Sequence, residues 1–167
     1  MYFSPMMQLQ NYVSNTDHAL ALNRIYMEEM TAIHFGQAWD IHWHREIKKL
    51  PSQAQYYQMV ENKTSVLPRM TLRFLAELTN QDEETKVKLI HFVNLMGAAF
   101  QIMDDVLAVE GDAFKKMRGQ GDYCEDIAEG KKTLMVLHSY YYGWKGDRLL
   151  DILAMKTKDE VMHREAV

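Results

Sequence analysis

The chain has 167 residues, 47% hydrophobic and 25% charged, which fits one globular domain with a sizeable core and leaves no room for two. A net charge of −4 excludes a basic footprint for nucleic acid, and a single cysteine, Cys124, excludes a disulfide framework or a cysteine-built zinc site and fits a reducing compartment. Apolar runs of only a few residues, a mean hydropathy of −0.36 and no signal-peptide pattern predict no transmembrane segment and a cytoplasmic location.

With 8 glycines and 3 prolines against 13 methionines, the composition predicts an all-α protein. Five helical stretches are expected in one undivided piece. The first runs from about Asp17 to Lys48, its apolar positions Leu22, Ile25, Met30, Ile33, Ile41 and Ile47 drifting around one broad face. Pro51 ends it and Ser52 caps the next, which continues to about Leu78 with Pro68 kinking or dividing it. Asn80 is expected to cap a third helix that opens on Glu83 and Glu84 and runs to about Leu107. A polar loop over 110–125 holds Gly111, Gly119 and Gly121. A fourth helix is expected from about Ile127 to Tyr142, and shorter ones from Asp147. Thr157 and Glu160 read as a capping box for a last, short helix.

A few polar positions carry chemistry. Asp104 and Asp105 stand at the end of the third helix, where the helix dipole favours cations. A divalent cation would relieve that placement, and Mg²⁺ takes one or two carboxylates together with phosphate oxygens. Gln101, three residues earlier, shares a face with Asp104. Lys63-Thr64 sets an ammonium beside a hydroxyl, a pair that can hold a phosphate, and Lys131-Lys132-Thr133 supplies a second cationic cluster. Gln37 and Asp40 stand at i, i+3 among Phe35, Trp39 and Trp43, which also suits a buried hydrogen bond. The seven histidines show no metal-binding spacing, and neither Cys124 nor Ser139 has a nucleophile's context.

The order of these motifs carries more than any one of them. Gly36-Gln37-x-x-Asp40, Lys63-Thr64, Phe100-Gln101-x-x-Asp104-Asp105 and Asp126-Ile127-x-Glu129-Gly130-Lys131 follow one another as in the trans-isoprenyl diphosphate synthases, the polyprenyl synthetase family. Tyr123-Cys124-Glu125-Asp126 continuing to Lys131, and Ile33 to Gln37 continuing to Trp43, most resemble the eukaryotic-type geranylgeranyl diphosphate synthases. The resemblance covers nearly the whole chain and matches the central-to-C-terminal portion of such a synthase.

It implies an all-α bundle of the isoprenoid synthase type, a homodimer or a heterodimer with a related synthase, and Mg²⁺ as cofactor. The implied reaction condenses isopentenyl diphosphate with an allylic diphosphate to give a longer polyprenyl diphosphate. On the matching positions Asp104 and Asp105 would be metal ligands and, with Lys63 and Lys131, catalytic. Lys63, Thr64, Gln101, Lys131, Gln37 and Asp40 would bind substrate. The pattern departs from the family at Ala108, where Asp or Asn is usual, and at Gly121, which aligns with a loop lysine for which Lys115, Lys116 or Arg118 would have to substitute. The expected domain, residues 1–167, is therefore a partial one, without the first aspartate-rich motif, its arginine pair and the last helices. A non-catalytic partner subunit that dimerises with an active synthase is the alternative. A terpene cyclase, which shares the fold, fits the Glu129-Gly130-Lys131 segment less well.

Overall fold

The computed structural model describes residues 4, 6–8, 13–46, 49–110, 124–143 and 145–167. Of the expected loop over 110–125, residues 111–123, with Gly111, Lys115, Lys116, Arg118, Gly119 and Gly121, lie outside the described residues, while Glu110 ends one helix and Glu125 opens the next. Among the described residues there is no strand. The helices, in chain order, are α1 (Thr16–Arg45), α2 (Gln53–Lys63), α3 (Val66–Leu78), α4 (Glu83–Glu110), α5 (Glu125–Glu129), α6 (Leu134–Tyr142), α7 (Gly146–Met155) and α8 (Glu160–Ala166). The expected all-α architecture is the one found.

Helix α1 packs on α2 and α3, α4 packs on both of those, and α6 contacts α2 and α4. Helix α7 joins α5, α6 and α8 into a second group. Each group has its own core. Tyr56, Met59, Val60 and Leu137 bury together beneath Trp39 and Trp43, which stack with centroids 6.5 Å apart. Cys124, Ile127, Ile152 and Leu153 form the other. His163 ties α8 to it: Nδ1 accepts from the Cys124 N–H at 3.0 Å, and Nε2 donates to the Thr157 carbonyl at 2.6 Å.

Gly36 sets how closely α1 crosses α2. A Cβ there would lie 2.7 Å from the Asn62 carbonyl carbon and 2.7 Å from the Lys63 nitrogen, so a larger residue would force the helices apart. That contact brings Asp40, one turn further along α1, alongside the end of α2.

Several boundaries differ from expectation, each for a local reason. The second stretch does divide, but at Thr64–Ser65, and Pro68 is the third residue of α3, where a missing N–H costs nothing. Ser52 caps α2 as expected, in a capping box with Gln55. Asn80 does not cap α4. Asp82 does, accepting from the Thr85 N–H at 2.8 Å, while Asn80 sits in the left-handed region with φ 52°. The fourth helix is two, α5 and α6, parted by Gly130 at φ +74°. Asp159, rather than a Thr157–Glu160 box, caps α8, and Thr157 accepts instead from the Asp159 N–H.

Among the described residues, α4 over Glu83–Val109 is the one helix long and apolar enough to cross a membrane by length and composition, a measure that the long core helix of a helical bundle also meets. Counting unbroken apolar runs misses it because polar residues interrupt the sequence at helical spacing. Asn94, Gln101 and Asp105 gather on the side packed against α2 and α3, whereas Phe92, Met96, Phe100 and Met103 line the exposed side.

Candidate functional site

The ends of α1 and α2, the last turns of α4 and the turn after α5 converge on Asp105, which is only 2% exposed. Both of its oxygens are engaged. Oδ2 accepts from the Tyr56 hydroxyl at 2.9 Å, and Oδ1 accepts from Gln101 Nε2 at 3.0 Å and Lys131 Nζ at 3.0 Å. Gln101 in turn accepts at Oε1 from the Thr64 hydroxyl at 2.7 Å, which fixes its amide so that the NH₂ faces Asp105. Lys131 also reaches Asp126 Oδ2 at 3.1 Å.

Beside this group Lys63 donates to Asp40 Oδ2, and His44 Nε2 lies 3.1 Å from Asp40 Oδ1. Asp40, Tyr56, Lys63, Gln101, Asp105, Lys131 and Thr133 line one small cavity of about 10 Å³, barely room for one water. As they stand, the lysines fill the space that an anion would need.

Local backbone explains how each group arrives. Lys63 is the last residue of α2, and Thr64 stands in the kink before α3. Tyr56 precedes Lys63 by seven residues, two helical turns, and so shares its face. Gln101 and Asp105 are i, i+4 on α4. Lys131 follows the left-handed Gly130, and its N–H returns to the Asp126 carbonyl at 2.9 Å, folding the lysine back over α5 toward α4.

The electrostatics follow from burial and pairing. Burial opposes ionisation of Asp40, but hydrogen bonds from His44 and Lys63 outweigh it and bring its pKa down to about 2. Burial likewise opposes charge on Lys131, yet Asp105 and Asp126 lift its pKa above the ordinary lysine range, so it stays cationic at neutral pH. Asp126 moves the other way: burial raises its pKa, Lys131 only partly offsets this, and the charges of Asp105 and Asp104 add to the rise. Tyr56 is pushed up by burial and by Asp105, and remains a protonated donor.

Of the residues expected from the sequence, the structure gathers Asp40, Lys63, Thr64, Gln101, Asp105 and Lys131. Asp104, half-buried, lies beside the cluster, close enough for its charge to act on Asp126. Gln37 is not brought in: it is exposed while Asp40 is buried, because the buried strip of α1 drifts past it. Tyr56 and Asp126 are the participants the sequence reading missed. The two-turn spacing of Tyr56 from Lys63 is a usable signal, whereas the sequence marks Asp126 only as part of the Asp126–Lys131 motif. Ala108 is buried and offers only a methyl group, so the usual polar group is absent at that position.

A metal fits this set in part. Among the described residues no group of three or more His, Cys, Asp or Glu side chains is arranged to hold an ion. The carboxylates nearest such a position are Asp104 and Asp105, whose Oδ2 accepts from Tyr56 and keeps a second lone pair.

The polyprenyl synthetase family model matches residues 1–167. A geranylgeranyl pyrophosphate synthase of Apiospora sacchari is 34% identical over 158 residues, covering 95% of this chain and 45% of that protein. One of Claviceps paspali is 35% identical over 166 residues, covering 99% of this chain and 46% of its own length. One of Aspergillus fumigatus is 37% identical over 143 residues, 86% of this chain and 38% of that synthase. The chain thus spans less than half the length of the curated relatives it matches. With the family model matching from end to end, the chain belongs to the polyprenyl synthetase family.

Proposed function

We propose that this chain forms the allylic-diphosphate side of a geranylgeranyl-type prenyltransferase, which condenses isopentenyl diphosphate with an allylic diphosphate. The observation that carries the reading is the convergence of Lys63, Gln101 and Lys131 on the carboxylates of Asp40, Asp105 and Asp126 from separate helices, with Thr64 donating to Gln101. Among the described hydrogen bonds these donors pair with side chains that a diphosphate could displace.

In this reading Lys63 and Lys131 turn from Asp40 and Asp105 to diphosphate oxygens, and Thr64 and Gln101 add hydrogen bonds. Charge grows on the diphosphate as it leaves the allylic carbon, so placed cations lower the barrier most in the transition state. Tyr56 and Asp126 hold Asp105 and Lys131 in register. Asp104, with Asp105 through its remaining lone pair, is proposed to hold Mg²⁺, which when bound supplies further positive charge to the leaving diphosphate. The exposed stripe of α4, with Phe100 68% exposed and one turn before Asp104, suits an apolar tail. The proposed location is cytoplasmic and the proposed assembly a dimer.

Ala108 favours one second reading, a partner subunit that keeps the bundle without the chemistry. Incorporation of labelled isopentenyl diphosphate by the whole protein, with Mg²⁺ and an allylic diphosphate, decides between them. Product lost in Lys131→Ala supports the enzyme. No product from the unaltered protein supports the partner subunit.

A further inference from the structure

One guanidinium, that of Arg69 on α3, reaches three of the helices that contribute to the site, α1, α2 and α4. Its Nε lies 3.0 Å from each oxygen of Glu29 on α1, and Nη2 lies 2.7 Å from Glu29 Oε2. Nη1 donates to Asn94 Oδ1 on α4 at 3.0 Å and to the Glu61 carbonyl of α2 at 3.1 Å. The side chain is buried, with Arg69 9% exposed.

The bond to Glu61 has the most direct consequence. At the α2–α3 kink the N–H groups of Thr64 and Ser65 both go to the Val60 carbonyl, at 2.8 and 3.2 Å. In an unbroken helix the Ser65 N–H would serve Glu61, so the kink takes away the usual donor of that carbonyl. A half-buried carbonyl without a partner is costly, and the cheapest repair would be for Ser65 to turn back to Glu61 and wind α2 on by one residue. That winding would rotate Thr64 away from Gln101 and shift Lys63 from Asp40. Arg69 supplies the missing donor and so makes the kink the favoured state.

We propose that Arg69 is a positioning residue for the diphosphate site, holding the Lys63–Thr64 turn through the Glu61 carbonyl; this rests on the diphosphate reading above. Arginine is required because its planar fork serves Glu29 from one edge while Nη1 reaches Glu61 and Asn94 from the other. A lysine ammonium can keep the ion pair with Glu29 but cannot also span to α2.

Arg73 provides a matched control. Its Nη1 lies 2.8 Å from Glu29 Oε1 and its Nη2 2.6 Å from Glu28 Oε2, a carboxylate shared with Arg24, but it makes no contact with the α2 backbone among the described hydrogen bonds. The experiment uses the whole protein with Arg69→Lys and Arg73→Lys. It reads the Kd of inorganic diphosphate with Mg²⁺ by calorimetry, the KM for allylic and for isopentenyl diphosphate, and the melting temperature. Both variants should lose thermal stability. Only Arg69→Lys should weaken diphosphate and raise the allylic KM, by about tenfold, the worth of one hydrogen bond at the turn. The isopentenyl diphosphate KM should stay within about twofold in both, as should the diphosphate Kd in Arg73→Lys.

An unchanged Kd in Arg69→Lys, or an equal loss in Arg73→Lys, would overturn the proposal and leave the cluster as a strut. If Arg69→Lys fails to fold, Glu29→Gln decides, since it weakens both ion pairs and spares the Glu61 contact. An unchanged Kd in that variant supports the proposal, and a tenfold loss overturns it. Failure of the unaltered protein to bind diphosphate would overturn the underlying site reading, and is recognisable because the wild type itself fails.

Discussion

Asp105 is buried and accepts hydrogen bonds at both oxygens, so the side chains around it should be unusually sensitive to small changes. Tyr56→Phe keeps the ring in its core and removes only the hydroxyl that serves Oδ2. We expect a loss of about 1–3 kcal/mol in urea unfolding, the cost of leaving a buried acceptor short of a partner. Asp40 gives a pH-dependent counterpart. Its folded pKa of about 2 lies below the ordinary aspartate value of about 3.9, so its stabilisation is complete above pH 4 and is lost as pH falls toward 2. The shift corresponds to about 2 kcal/mol. The stability gap between wild type and Asp40→Asn should therefore close by about that amount between pH 5 and pH 2, and a gap that stays constant would contradict the assignment. Lys132, next to Lys131, is 4% exposed, and burial, with Lys156 nearby, lowers its pKa. No carboxylate pairs with it among the described residues, so Lys132→Met should raise stability at neutral pH, measured by the same unfolding.

At the scale of helices, the site depends on a close crossing and two backbone breaks. Gly36→Ala should push α1 off α2 at Asn62 and Lys63, costing about 1–3 kcal/mol in urea unfolding. The same variant should weaken the Lys63–Asp40 pair, because that contact sets the spacing between the two elements. Helix existence was legible from periodicity throughout, and the Ser52 cap and the division near Pro68 were legible from local chemistry. The Asp82 cap, the Asp159 cap and the Gly130 break were not. In each of these a nearby residue of similar propensity offered an equally good local signal, and only the packed backbone chooses between them. Gly130 shows this most clearly. A glycine inside a helical pattern is tolerated often enough that its left-handed state, which delivers Lys131 to Asp105, leaves no mark in sequence periodicity.

Across the whole molecule, the catalytic candidates were legible through motif order, and their partners were not. Asp105 and Tyr56 are 49 positions apart, Arg69 and Glu29 are 40 apart, and neither pairing leaves a trace at helical spacing. Motif order, by contrast, preserved Lys63, Gln101, Asp105 and Lys131 because the resemblance supplied the connection between them. Gln37 shows the limit of that route, since its motif is present but its side chain faces outward. The central claim is that Asp104 and the lysines form one site for diphosphate and Mg²⁺, and it is tested most directly by thermal unfolding of this chain. Mg²⁺ alone should barely change the melting temperature. Mg²⁺ with inorganic diphosphate at about a hundred times Kd should raise it by roughly 5–10 °C, by mass action on the folded state. Asp104→Ala should abolish that rise. An equal rise in Asp104→Ala, or none in the unaltered chain, would contradict the account.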